Sequence, residues 1–228
     1  MLWQRCRQPD VSIAHVDANT TRLSSVLKYD SGADTWSEVA PMPKARHGFG
    51  ASVVGSDVYV IGGLTGLAAN TAVPSVYSYD TVQNEWSSLP PMPEARCFCS
   101  ACVLDGMVFV MGGESVSDTV LSSVYRFDPA SSSWSTVAPM STARSSCGSF
   151  TLGGCLYALG GRDGPTRLDS VVKYDPATDN WSAVRSMGHR RNSPSAQSVN
   201  LEVNLFDALI NRAEATAQSA GLGRGARR

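Results

Sequence analysis

Leu156-Tyr157-Ala158-Leu159-Gly160-Gly161 leads to Val171-Val172-Lys173-Tyr174-Asp175-Pro176 and then to Asn180-Trp181-Ser182. The first piece is an apolar run that ends in two glycines. The second is a short run rich in β-branched residues that ends in Tyr-Asp. The third carries a tryptophan. Val, Tyr and Trp bounded by Gly, Asp and Pro is strand-and-turn chemistry, and at these lengths it predicts short strands rather than helices.

The same signature recurs outward in both directions. Trp36, Trp86, Trp134 and Trp181 stand 50, 48 and 47 residues apart. Each lies six residues after the aspartate of Tyr29-Asp30, Tyr79-Asp80, Phe127-Asp128 or Tyr174-Asp175. Each lies six before Met42, Met92, Met140 or Met187, and each methionine lies four before Arg46, Arg96, Arg144 or Arg191. Sixteen residues after the first three arginines come Gly62-Gly63, Gly112-Gly113 and Gly160-Gly161. Four independent spacings held constant mark a structural repeat, which has to be recognised before any fold is assigned. Only the step from the second glycine to the aromatic varies, at 16, 14 and 13 residues. The scaffold is constant and one loop is free.

Each unit reads as four strands: a after the arginine, b ending at the glycines, c ending at the aromatic, and d carrying the tryptophan. Glycine suits a sharp turn or a close backbone approach. Asp175-Pro176 opens a tight c–d turn, Pro presetting φ and Asp accepting from the backbone ahead. Tryptophan is large enough to fill the wedge between neighbouring units.

These residues resemble the kelch repeat of β-propellers, with four strands per blade and a period of about 50. The resemblance spans about residues 21–191, and residues 143–190 are most similar to blades of the animal kelch-like adaptors. It implies an all-β kelch-type propeller of three complete blades (45–94, 95–142, 143–190), a partial N-terminal blade (21–44) and a remnant (191–206). Residues 1–20 form a degraded N-terminal segment, with Val11–Ala14 as a vestige of strand b. Residues 207–228 are expected to hold a short helix, reading from Phe206 to Ser219, and a disordered basic tail. Between them, Val199, Leu201, Val203 and Leu205 alternate with polar residues, which predicts one half-buried strand. In one arrangement that strand returns to complete the first blade. In the other the propeller is an incomplete, open arc, and this is the arrangement we expect, because four kelch blades would be strained. Open edges offer a route to self-association.

Composition narrows the function. The chain has 228 residues and a formal net charge of -1, which removes the electrostatic footprint of a nucleic-acid binder. No apolar run approaches the ~20 residues that span a bilayer, and the first residues lack a signal-peptide core. A cytoplasmic, reducing setting is expected, the six cysteines being too clustered for a disulfide framework. Cys97, Cys99 and Cys102 lie in one strand a without a second ligand pair, so they read as structural thiols rather than a zinc site. Cys97, at the rim end, is expected to be the exposed one. No metal or cofactor is expected.

No G-x-S-x-G or H-E-x-x-H occurs, and the copper ligands of galactose oxidase, an enzyme on a kelch-type propeller, find no match. The chain is therefore read as a non-enzyme. Recurrence of Arg46, Arg96, Arg144 and Arg191 points to a role in the blade, as it does for Gly62, Gly63, Gly112, Gly113, Gly160, Gly161, Trp36, Trp86, Trp134 and Trp181. Binding belongs to the loops that vary. In the kelch adaptors, a partner peptide is held where the b–c and d–a loops share a rim. Carried over by position, the resemblance implies Arg22, His47, Leu64, Cys97, Glu114, Ser145, Arg162, Arg167 and Asn192. With Asp118 and Asp163 alongside, the rim is mixed in charge rather than uniformly basic. The implied function is docking of a protein peptide or loop on this rim, as in the substrate-recognition part of a ubiquitin-ligase adaptor, whose BTB-type domain has no counterpart in these residues. A small-molecule enzyme or specifier and a truncated, inactive paralogue are the alternatives.

Overall fold

The computed structural model describes residues 23–194, together with the backbone of Val11–Ile13, Ala196–Val199 and Glu202–Leu205. Arg22, His15, the 206–219 helix and the basic tail lie outside the described residues.

The fold is all-β. Strands β1 (Val11–Ile13), β2 (Val26–Asp30) and β3 (Thr35–Val39) form a three-stranded sheet. Four-stranded antiparallel sheets follow: β4 (Gly50–Val54), β5 (Asp57–Ile61), β6 (Val76–Asp80) and β7 (Glu85–Leu89), and then β8 (Ser100–Leu104), β9 (Met107–Met111), β10 (Val124–Asp128) and β11 (Ser133–Val137). The next blade holds β12 (Gly148–Leu152) and β13 (Cys155–Leu159), interrupted by the small hairpin of β14 (Arg162–Asp163) and β15 (Thr166–Arg167), then β16 (Val171–Asp175) and β17 (Asn180–Val184). Val11 pairs with Lys28, so the vestigial strand b does join the first blade.

The C-terminal stretch departs from the reading above. In place of one strand over 199–205, β18 (Ala196–Val199) and β19 (Glu202–Leu205) form a hairpin in a sheet of their own. They take the a and b slots of a further blade, with β18 beside β12 as β12 is beside β8 and β8 beside β4. Alternation over 199–205 suits a continuous strand and a hairpin equally. The hairpin does not share a sheet with β1–β3, so no mixed blade closes a ring among the described residues.

The repeated residues explain themselves. Arg46, Arg96 and Arg144 are each 0% exposed. Their Nη1 atoms donate to the carbonyls of Gly62, Gly112 and Gly160 at 2.8, 2.9 and 3.0 Å, and to Ser75, Ser123 and Ser170 at 3.3, 3.1 and 3.1 Å. The arginine thus fastens strand b to the start of strand c in its own blade. Its backbone carbonyl faces the preceding blade, where it accepts the N–H of the second glycine: Gly63 to Arg96 at 2.9 Å, Gly113 to Arg144 at 2.8 Å, Gly161 to Arg191 at 2.8 Å. The first glycine has φ of 66°, 61° and 57° in the three blades, and a Cβ on Gly160 would sit 2.8 Å from the Arg191 carbonyl. Only glycine combines that backbone with that approach.

The seams between blades have their own fastenings. Trp86, Trp134 and Trp181 donate through Nε1 to the carbonyls of Ala40, Pro90 and Ala138 in the preceding blade, at 2.8, 2.9 and 2.8 Å. At the hub, Phe98 N–H donates to Gly48 at 2.6 Å, Ser146 to Phe98 at 2.8 Å and Ser193 to Ser146 at 2.9 Å, a staircase from blade to blade. Asp30, Asp80, Asp128 and Asp175 accept from the turn amides that follow them, as Asp-led turns should.

Candidate functional site

Six of the residues singled out for the rim meet in pairs fixed by the backbone. His47 bridges Leu64, Cys97 bridges Glu114 and Ser145 bridges Arg162, each exchanging N–H···O bonds of 2.8–3.1 Å. These bridges prolong the a–b pairing past the double glycine, so the residue after the blade arginine always lies against the residue after the glycines.

Most of the pairs are lids rather than contact points. Leu64, Cys97, Glu114 and Ser145 are buried. Cys97, expected to be exposed, is 0% exposed because Leu64 and Ala72 of the preceding b–c loop cover it, with Phe98 packed alongside. Burial, with the nearby Glu114 charge adding to it, pushes its thiol up to about 12. A thiol so placed is inert. Cys99, Cys102 and Cys147 are likewise buried, with burial raising their pKa values.

Charge reaches the surface at the third complete blade. Arg162 leads β14 and lies directly opposite Arg167 of β15. Its Nη2 donates to Glu114 Oε1 at 2.7 Å and its Nε to Ser145 Oγ at 3.2 Å. The Glu114 side chain is 4% exposed and that of Arg162 is 43% exposed. One edge of the guanidinium is therefore fixed by two buried partners, one of them on the preceding blade. Nη1, at the other side of the guanidinium, takes no acceptor among the described residues. Arg167 is exposed, as are Asp118, Asp163 and Asn192. Two like charges opposite each other across a hairpin repel. Here one is partly neutralised from below and both are open above, an arrangement suited to an incoming carboxylate.

Residue reading missed the apolar loop tips. Leu67, in the Thr65–Thr71 loop, is 81% exposed, and Val116 is 48% exposed in the equivalent loop of the next blade. An apolar residue flanked by Gly, Ser or Thr within the one loop of varying length was the available signal. Among the described residues, no three His, Cys, Asp or Glu side chains are grouped to hold a metal ion, and no helix is long and apolar enough to cross a membrane.

The family described as the KLHDC2/KLHL20/DRC7 Kelch-repeats domain matches residues 14–205. The chain belongs to this kelch-repeat family. Its kelch propeller also superposes on a solved structure titled "Structure of YjhT", with a TM-score of 0.72 and 16% identity, covering 88% of this chain and 73% of that one. At that identity the likeness is one of fold. The kelch assignment gives the Arg–Gly-Gly fastenings their place as family scaffold. The b–c loops differ from blade to blade within this chain, carrying Leu64, Glu114 and Arg162 at one slot.

Proposed function

We propose that this kelch domain is a non-catalytic protein-interaction module that holds an extended peptide or loop of a protein partner on the b–c/d–a rim. The observation that carries the reading is Arg162: held along one edge by Glu114 and Ser145, it presents the other end beside Arg167. An acidic side chain or terminal carboxylate of the partner would take that end in a bidentate pairing, and Leu67 and Val116 would add apolar contact along the same rim. Preorganisation favours the reading, since the arginine is ordered before binding and little rotamer freedom is lost. Recruitment of a substrate to a ubiquitin ligase, in the cytoplasm, is the assembly-level form of this function, and the free, buried thiols Cys97, Cys99, Cys102, Cys147 and Cys155 suit a reducing compartment.

Affinity capture from cell extract with the wild-type chain, beside an Arg162→Ala/Arg167→Ala variant of matched stability, tests it. Partners specific to the wild type, competed by an acidic peptide, support the rim. Partners retained equally by both proteins would sink the assignment.

A further inference from the structure

The seams between blades are not equivalent. Between the first and second blades, Asn84 Oδ1 accepts from Ala40 N–H at 2.8 Å and from the Tyr79 hydroxyl at 2.8 Å. Between the third and fourth, Asp179 Oδ1 accepts from Ala138 N–H at 2.9 Å and from the Tyr174 hydroxyl at 2.8 Å. Each is a clamp at the outer end of the seam, tying a c–d turn to the end of the preceding strand d.

At the seam between the second and third blades every part of that clamp is replaced. Pro90 stands where the amide donor should be and has no N–H. Ser132 takes the acceptor's turn position, with φ of 51° against 59° for Asn84 and 49° for Asp179. Phe127 takes the tyrosine's place and has no hydroxyl. One directional bond remains at the outer end among the described residues, from Trp134 to the Pro90 carbonyl. Apart from the Gly63–Arg96 and Phe98–Gly48 backbone bonds that recur at the other seams, the side-chain contact is apolar, through residues such as Tyr59, Val76, Met92 and Phe127, and apolar packing is non-directional.

A second, independent defect lies in the same seam. Strand alternation turns Ser52 towards the third blade, on the side of Gly50, whose missing Cβ would meet Ala101 and Cys99. Ser52 Oγ is buried there without a hydrogen-bond partner. Across the following seam, Ser100 and Ser149 hydroxyls pair at 2.7 Å. Yet the hub of the weak seam is as well tied as the others, by the Phe98–Gly48 bond.

A contact fixed at its inner end and undirected at its outer end is a hinge. We propose that the arc flexes between the second and third blades, β4–β7 against β8–β11, about the hub strands β4 and β8. Arg162, Glu114, Ser145 and Arg167 all belong to the unit beyond the hinge and move as one body. Leu67 belongs to the unit before it. Flexing therefore changes the span between the apolar tip and the paired arginines without disturbing the arginines themselves. This hinge is independent of what the rim binds.

The test uses spin labels on keto amino acids, which leave native thiols untouched, at the equivalent exposed turn positions Val82, Ala130 and Ala177 of the full chain. Pulsed electron–electron distances should be distributed about twice as broadly for the Val82–Ala130 pair as for Ala130–Ala177. Installing the clamp with Pro90→Ala, Phe127→Tyr and Ser132→Asn should narrow the first pair to the width of the second. Conversely, Tyr174→Phe with Asp179→Ser should broaden the second pair, which keeps the proposal testable if the repaired variant folds poorly. Equal widths in the wild type, or widths that ignore both sets of substitutions, would overturn it.

Discussion

Replacing Arg144 with methionine probes the scaffold at its most demanding point. The guanidinium is fully buried, and burial lowers its pKa from the ordinary arginine value, with partial compensation from neighbouring groups. It donates to the Gly160 carbonyl at 3.0 Å, the Ser170 carbonyl at 3.1 Å and the Ser170 hydroxyl at 2.8 Å. Bonds to a charged donor contribute about 1.5–3 kcal/mol each, so the three together give about 5–9 kcal/mol gross. Methionine removes them but also relieves the desolvation of a cation, worth several kcal/mol, and fills part of the space. Ser170 O keeps the Gly160 N–H at 3.1 Å, which spares one carbonyl. The balance is a destabilisation of about 2–4 kcal/mol. Urea unfolding should show the midpoint lowered by about 1–2 M at unchanged slope, on the usual slope of about 1–3 kcal/mol/M. Arg185→Met, at an exposed position, should stay within about 0.5 kcal/mol. A loss below about 1 kcal/mol for Arg144→Met would refute the argument that the repeated arginine is the fastening of strand b to strand c.

Other consequences follow from the seams and thiols. Trp181→Phe keeps the ring packing but loses the 2.8 Å bond to Ala138, and should cost about 1 kcal/mol by thermal or chemical denaturation. The Asp179 carboxyl is held below its ordinary pKa, first by the Ala138 amide and then by the Tyr174 hydroxyl. A depressed folded-state pKa gives stability that is present above the unfolded value and lost as pH falls through the folded one, so wild type should weaken as pH drops below about 4, and Asp179→Asn should flatten that part of the profile. Cys97, buried and raised to about 12, should resist alkylation at pH 8 in the native chain and react on unfolding, as read by mass spectrometry; rapid native labelling would contradict its place beneath Leu64 and Ala72.

The scaffold could be read from residues because each repeated position answers a local demand of the backbone. Gly160 needs its φ and its approach to Arg191; Asp175 needs the turn amides; Trp181 needs the carbonyl of the blade before. Those demands recur at fixed spacing, so periodicity exposes them. The rim is different. Cys97 begins its strand as a rim residue should, but the neighbouring b–c loop lies over it, and no spacing within a blade reveals what the next blade covers. The Glu114–Arg162 pair joins residues 48 apart across a seam. It depends on side chains that occur once, so no repeat announces it. Pro90, Ser132 and Phe127 each look unremarkable in sequence. They become one feature only when the clamps of Asn84 and Asp179 show what is missing. The C-terminal hairpin was hidden because alternation at period two is shared by one strand and two.

The arginine side-chain resonances offer the most direct test of the rim. Nε–Hε signals of Arg162 and Arg167, assigned through loss in the Arg→Lys variants, should shift saturably as a short acidic peptide is titrated in. Those of Arg46, Arg96 and Arg144 should stay in place. Shifts confined to other residues, or none at any peptide concentration that saturates capture of the partner, would contradict carboxylate recognition by the paired arginines.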